Sequence, residues 1–318
     1  MLRYTLNRLW QSALTLLLAS IVVFIGIRLL PGDPATAMAG EEADPAAIAA
    51  VSERLGLDKP IPVQYLTFVG NAVQGDFGES VRTGTPVTDM IGATLPVTVQ
   101  LAIYAMLVAV LAGMAFGVVA AVFRGRWPEW VANGFSLFAL SVPTFWLGIL
   151  AVLYLAVQLG WFPASGYVSP FDEPLRGLYY LTLPSVILGM THAAVVQRQT
   201  RASMVDTLTA DFVRTARAKG LSRSAVVFRY GLRNSLIVVT TIVGLQLGGL
   251  IAGAVVTERI FGLPGIGKLT LDSVFTRDYP VIQAVVLVIT TAYIVINLVV
   301  DLLYTVIDPR VRVSGRAR

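Results

Sequence analysis

The stretch Asp211–Asn234, DFVRTARAKGLSRSAVVFRYGLRN, is a basic segment between two long apolar runs. It holds one acidic residue, Asp211, and six basic ones: Arg214, Arg217, Lys219, Arg223, Arg229 and Arg233. Because charged side chains are costly in hydrocarbon, this segment must face water. It therefore predicts a large water-facing loop that joins two membrane helices.

Local preferences predict a helix, a turn and a second helix within this segment. Asp211–Lys219 favours a helix whose acidic start and basic end suit the helix dipole. Gly220 is typical of a helix stop, and Ser222 can cap a helix that leads into the next apolar run.

The small residues Ala216, Ala218 and Gly220 would let a partner approach the backbone, with Arg214 and Arg217 at the rim. The segment is thus a candidate docking surface for another protein. Binding of anionic lipid explains the charges equally well, although it does not explain the small residues. The residues by themselves leave both interpretations open.

The composition is that of a membrane protein. The chain has 318 residues, of which 56% are apolar and 14% charged, whereas soluble domains have roughly 25% charged residues. The net charge of +5 fits basic cytoplasmic loops better than a nucleic-acid surface, so no nucleic acid is expected as a partner. The chain has no cysteine and one histidine, His192, which excludes thiolate chemistry and disfavours a His-based metal site or catalytic dyad.

Six apolar runs predict an all-α membrane protein with six transmembrane helices. The runs are Leu9–Leu30, Val97–Phe123, Trp130–Leu159, Leu178–Val196, Leu236–Val256 and Val281–Ile307. The first run could instead be a signal peptide, with Ala37-Met38-Ala39 as a cleavage site. Its length and its distance from that site favour an uncleaved helix.

Residues 31–95 predict a small extracytoplasmic subdomain with nine acidic and three basic residues. We expect a short helix over 45–55, stopped by Gly56, and a second from Pro62 to Ala72. Arg and Lys are distributed unevenly among the loops: sixteen lie on the side of the N-terminus and six on the other. The positive-inside rule therefore predicts that both termini are cytoplasmic.

Gly262–Leu269, GLPGIGKL, nearly matches a phosphate-binding loop, but Leu269 lacks the hydroxyl that binds Mg²⁺. A Gly- and Pro-shaped turn or re-entrant loop is the better interpretation. With the stretch Arg277–Pro280 it predicts a structured outer loop able to contact a ligand or binding protein. The candidate contact residues are Phe261, Pro264, Gly265, Gly267, Arg277, Asp278 and Tyr279.

Few ionisable residues fall within the predicted spans, which argues against a proton relay. Asn297 and Asp301 share one helix face and are expected to make a structural polar contact, with ion coupling as the alternative. His192 is expected to pack rather than line a pathway, and Glu258 to lie at the membrane interface. Gly244, Gly248 and Ala252 form a small-residue stripe for helix packing or for a moving interface. No pair of residues suggests a catalytic site, which disfavours a membrane enzyme.

Several stretches resemble the permeases of dipeptide/oligopeptide-type ABC importers. Phe212–Leu221 followed by Leu232-Arg233-Asn234 is similar to the cytoplasmic EAA loop of that family. The resemblance covers nearly the whole chain and includes Leu30–Pro34, Leu55–Pro60, Gly75–Gly78, Glu258–Gly267, Arg277–Pro280, Asn297–Tyr304 and Asp308–Arg310. The chain departs from the family pattern at Ala210, where Glu is expected, at Tyr230, where His is common, and in lacking Pro near Ile237.

The resemblance implies a type I permease that moves peptides by alternating access. Its expected partners are a homologous second permease, two cytoplasmic ATPases, an extracytoplasmic binding protein and membrane lipid. ATP and Mg²⁺ are expected on the ATPases, with no cofactor on this chain. The expected coupling residues are Asp211, Arg214, Thr215, Ala216, Arg217, Ala218, Lys219, Gly220 and Leu221.

The resemblance also implies a division of the chain and a location. Residues 1–30 would form the first transmembrane helix and 31–95 the outer subdomain. Residues 96–307 would form a five-helix core that includes the coupling loop 200–234, and 308–318 a cytoplasmic basic tail. The expected location is the bacterial cytoplasmic membrane. Relatives carry dipeptides, oligopeptides, glutathione or nickel complexes, so the sequence leaves the substrate open, and an ion-coupled carrier is a remote alternative.

Overall fold

The computed structural model describes residues 2–28, 35, 44–54 and 56–307. Three of the expectations above fall outside these residues: the helix end at Leu30–Pro34, the basic tail 308–318, and the side-chain contacts of Asp301.

The described chain is helical, as predicted, and its only extended pairing is an isolated bridge between Glu79 and Pro86. The helices are α1 (Leu2–Arg28), α2 (Pro45–Arg54), α3 (Ile61–Val73), α4 (Val87–Val122), α5 (Trp127–Ser141), α6 (Thr144–Ala151), α7 (Pro174–Thr209), α8 (Asp211–Ala218), α9 (Arg223–Ala225), α10 (Arg233–Phe261), α11 (Ile266–Phe275) and α12 (Tyr279–Ile307). Two π-helical segments, Val152–Gln158 and Val226–Leu232, extend α6 and join α9 to α10.

Five helical segments of the described chain are long and apolar enough to cross a membrane: Thr5–Gly26, Val87–Val122, Pro174–Thr209, Arg223–Phe261 and Tyr279–Val300. A sixth crossing is possible if Trp127–Ser141 and Thr144–Gln158, which are bent by 101°, form one span. The bend falls at Pro143, whose ring removes a backbone donor, and the preceding Val142 is extended. The apolar run Trp130–Leu159 is therefore broken rather than straight.

The two short helices expected between the first and second spans are present as α2 and α3. Gly56 ends α2 with φ +66°. Its N–H donates to the carbonyl of Glu53 at 3.0 Å, and the N–H of Leu57 donates to that of Ser52 at 2.9 Å. This is a Schellman motif, so the glycine stop is confirmed.

The chain divides into two compact units. The first comprises residues 1–97 and 265–298. Its apolar core joins the start of α4 to α11 and α12 through Val87, Ile91, Ile266, Val281 and Val285.

The second unit comprises residues 98–264 and 299–318. Helix α7 lies at its centre, packed against α5, α6 and α10. Helices α4 and α7 approach so closely that a Cβ added at Gly189 would lie 2.5 Å from the carbonyl oxygen of Ala105. One added at Gly113 would lie 2.6 Å from that of Ala193. These glycines let two long helices pack backbone to backbone.

Candidate coupling site

Helix α8 is a short amphipathic helix held between α7 and α9. Ala210, which is extended, ends α7 and begins α8. Val213 and Ala216 are buried against the rest of the unit. Asp211, Arg214, Thr215, Arg217, Ala218 and Lys219 are all exposed. One narrow face thus attaches α8 to its own chain, and a broad, mainly basic face is exposed.

The turn after α8 has the geometry that the sequence predicts. Gly220 lies at φ +81°. Its N–H donates to the carbonyl of Arg217 at 3.0 Å, and the N–H of Leu221 donates to that of Ala216 at 3.4 Å. This pair of bonds is a Schellman motif. The hydroxyl of Ser222 accepts from the N–H of Ala225 at 3.3 Å, which confirms the predicted cap.

Helix α8 contacts α7 and the π-helical segment Val226–Leu232. An apolar cluster of Ala121, Met204 and Val227 joins α4, α7 and that segment. Beside it lies a cavity of about 570 Å³ lined by Arg217, Leu221 and Arg223 together with apolar residues of α4, α7 and the π-helical segment. The cluster thus holds together the three segments next to α8.

Two details differ from the expected docking surface. Ala216 is only 5% exposed and packs inward, so the small residues open to a partner are Ala218 and Gly220. Phe212, in contrast, is 51% exposed, and its ring centroid lies 6.3 Å from that of Tyr230. The exposed face therefore combines an aromatic side chain with arginines.

Most of the predicted outer loop is buried, whereas a contact surface should be exposed. Phe261, Gly265, Gly267, Asp278 and Tyr279 are all buried. Of the seven candidate contact residues, only Pro264 and Arg277 are exposed. The near-match to a phosphate loop follows helix α10 rather than a strand, and its Gly267 and Lys268 lie within α11.

Asp278 holds part of the loop together. Its carboxylate accepts from the hydroxyl of Ser80 at 2.5 Å and from the N–H of Val81 at 3.1 Å. The adjacent Arg277 has φ 55°, which is unusual for a residue other than glycine. Asp278 therefore stabilises the turn before α12 by binding Ser80 and Val81.

Glu258, which the sequence indicated could lie at the membrane interface, is fully buried within the protein. Its Oε1 accepts from the hydroxyl of Thr98 at 2.5 Å. The reason is long-range: Thr98 lies on α4, 160 residues earlier in the chain. A buried carboxylate requires such a donor.

Comparison with known proteins identifies the family of the chain. Residues 113–313 match the family described as binding-protein-dependent transport system inner membrane component, and residues 1–102 match its N-terminal family. The chain belongs to this permease family. It is an ABC transporter permease with the type I importer fold and a multi-pass protein of the cytoplasmic membrane.

Several curated relatives of the permease match it from end to end. The glutathione transport system permease protein GsiC of Escherichia coli strain K12 is 46% identical over 312 residues, which cover 98% of this chain and 99% of the relative. GsiC of Salmonella typhi gives the same identity and coverage.

A solved structure supports the fold of the permease. The crystal structure of an amino acid ABC transporter with histidines matches with a TM-score of 0.50 and 16% identity. The match covers 70% of this chain and 94% of the solved one.

The permease contains a polar contact between α5 and α7 that sequence reasoning missed. Arg201 donates from Nε to Oε1 of Glu129 at 3.0 Å, and the two residues are 72 positions apart. The only local signal was Pro128-Glu129 at the start of an apolar run, a pattern typical of a helix N-terminus.

The polar residues singled out within spans of the permease have differing surroundings. His192 Nδ1 lies 2.8 Å from Oε1 of Gln246, which ties α7 to α10 and supports a packing role. Asn297 lies on α12 and is half-buried. Its expected contact with Asp301 stays a prediction.

Proposed function

We propose that this permease belongs to an ATP-driven importer of short peptides, including glutathione, and that α8 is its coupling helix. The observation that carries the proposal is the mainly exposed, basic face of α8 on a helix whose opposite face is anchored in the unit. A surface loop that bound only anionic lipid would need no Schellman turn, cap or apolar anchor.

The proposed assembly follows from the family. A binding-protein-dependent permease works with a substrate-binding protein and an ATPase. We place a homologous second permease beside this chain, with two ATPases on the cytoplasmic side that bind ATP and Mg²⁺. Both termini of this chain would be cytoplasmic, and residues 31–95 would face the binding protein. Closure of the ATPases would then move α8 and switch the permease between inward-open and outward-open states.

The substrate class rests on similarity along the whole chain. Relatives that match it end to end include glutathione permeases, and glutathione is a modified tripeptide. Other short peptides share its free carboxylate and amide groups, so they are the natural alternatives. Nickel complexes remain a further alternative to be tested.

The experiment is ATP-dependent uptake by the full complex in proteoliposomes, with glutathione, a dipeptide, an oligopeptide and a nickel complex as substrates. We expect uptake of glutathione or of a short peptide when the binding protein is present. Gly220→Val should uncouple ATP hydrolysis from that uptake. A β-branched residue at a left-handed position costs about 1–2 kcal/mol and would displace the turn that follows α8.

The matched control is Gly134→Val, which also replaces an exposed glycine with no neighbouring atom within 4 Å of its added Cβ. Its backbone lies within α5 rather than at positive φ, so coupling should be unaffected. Unchanged coupling in Gly220→Val would contradict the role of α8. Uptake of the nickel complex alone would contradict the peptide assignment.

A further inference from the structure

The turn between α4 and α5, residues 123–126, is held in place by Glu129. This glutamate is the third residue of α5, and its Oε2 accepts from the backbone N–H of Gly125 at 2.6 Å. Gly125 has φ +77°, which a glycine adopts without strain. A carboxylate in the first turn also suits the positive end of the helix dipole. Glu129 thus fixes the turn from within its own helix.

The other carboxylate oxygen of Glu129, Oε1, accepts hydrogen bonds from a residue of α7. Arg201 donates from both Nε and Nη2 to Oε1. Only 11% of the Glu129 side chain and 32% of the Arg201 side chain are exposed. By contrast, 58% of the side chain of Arg176, on the same helix, and 56% of that of its partner Glu173 are exposed. Exposed pairs contribute little, whereas removal of one partner from a shielded pair leaves an uncompensated charge.

A second arginine holds the same turn from the far side of α8. Arg223, the first residue of α9, donates from Nη2 to the carbonyl of Val122 at 3.2 Å, and Val122 is the last residue of α4. Residues 201 and 223 therefore lie before and after α8 in the sequence, and they bind Glu129 and Val122 on the two sides of this turn. The segments on both sides of α8 are thus connected to the neighbourhood of this turn.

Further along α5, additional hydrogen bonds join it to α7. The side-chain oxygen of Gln197, which is fully buried, accepts from Ser136, and its amide donates to Asn133 at 3.3 Å. The hydroxyl of Thr191 donates to the carbonyl of Ala139 at 3.3 Å. These contacts recur at about one per helical turn, beginning at Glu129. These hydrogen bonds thus join most of α5, from Glu129 to Ala139, to the part of α7 between Thr191 and Arg201.

We propose that Glu129 and Arg201 are positioning residues that transmit the displacement of α8 to α5. The proposal rests on the proposed function, since it takes α8 to be the coupling helix. Val213 and Ala216 anchor α8 in the unit, and α8 follows directly from the end of α7. The ion pair supplies the firm connection from the end of α7 to the α4–α5 turn and on to α5.

The test uses the full complex, with its ATPases and binding protein, in nanodiscs for ATPase assays and in proteoliposomes for uptake. Glu129→Gln removes the charge yet keeps an amide oxygen that can accept from Gly125, as glutamine does in capping boxes. Arg201→Gln removes the other charge. We expect each variant to raise the ATP hydrolysed per substrate imported at least about fivefold, with the ATPases still bound. The double variant should be no worse than the single ones, because both remove one interaction.

Arg176→Gln is the matched control, since it breaks an exposed pair on the same helix and should leave the ratio unchanged. A lower melting temperature with unchanged coupling in both single variants would show that the pair is only structural and would overturn the proposal. If the glutamine variants do not assemble, Arg201→Lys and Arg201→Ala are compared, and equal coupling in those two would overturn it.

The same assay separates this inference from the proposed function. If Gly220→Val uncouples the complex and Glu129→Gln does not, only the transmission by the ion pair fails. If Gly220→Val leaves coupling unchanged, the proposed role of α8 as the coupling helix is contradicted.

Discussion

Glu258 shows how one residue can depend on a distant partner. It is fully buried near the end of α10 and accepts from Thr98 on α4. A carboxylate without donors would be costly at such a site. The contact therefore fixes the relative position of two helices that the sequence separates by 160 residues.

We predict that Thr98→Val lowers the free energy of unfolding by about 1–3 kcal/mol, because it removes a donor from a buried carboxylate while preserving the shape of the side chain. Thermal unfolding of the purified permease measures the change. Thr94→Val is the control, since the hydroxyl of Thr94 donates to a carbonyl of its own helix, that of Met90, at 2.8 Å. Equal melting temperatures for the two variants would contradict the prediction.

At the scale of elements, the close packing of α4 against α7 depends on glycines, which have no side chain. Added Cβ atoms at Gly189 and Gly113 would lie 2.5 and 2.6 Å from carbonyl oxygens of the facing helix. Backbone oxygens cannot rotate away as a flexible side chain can. The two helices must therefore separate before either glycine can be replaced.

Gly189→Ala is expected to destabilise the permease by about 1–3 kcal/mol through overpacking. Gly134→Ala should be neutral or stabilising by up to about 1 kcal/mol, because nothing lies within 4 Å and alanine favours the helix. The melting temperatures of the two variants, measured in the same detergent, check this difference. A Gly189→Ala variant as stable as the parent would show that this packing is looser than described.

Elements whose ends are set by local chemistry were predictable from the sequence. The stop at Gly220 and the cap at Ser222 depend on neighbours within five residues, and both are confirmed. The burial of Glu258 and Asp278 was not predictable, since their donors lie 160 and 198 residues away. The pair Glu129–Arg201 was missed for the same reason. Local patterns placed α8, whereas long-range contacts decide what α8 is attached to.

At the scale of the whole molecule, the predicted topology can be tested directly because the chain contains no cysteine. Gln74→Cys and Ser224→Cys each introduce one thiol at an exposed position. A membrane-impermeant maleimide should label Gln74→Cys in intact spheroplasts and Ser224→Cys only after the membrane is opened. The parent chain, which should not be labelled, is the control. Labelling of Ser224→Cys from outside would reverse the orientation given by the positive-inside rule.

The length of α7 has a mechanical consequence. Its 36 residues make a rod about 54 Å long, whereas the hydrocarbon core of a bilayer is about 30 Å thick. About 24 Å of α7 must therefore project beyond the core, shared between its two ends, or be accommodated by tilt. Arg198 and Arg201 mark the polar end of the rod, and α8 is attached just past its tip. Although α7 contains Pro184, it is one continuous helix, and a tilt of about 10° around its midpoint would move its end by roughly 5 Å, close to the rise of one helical turn.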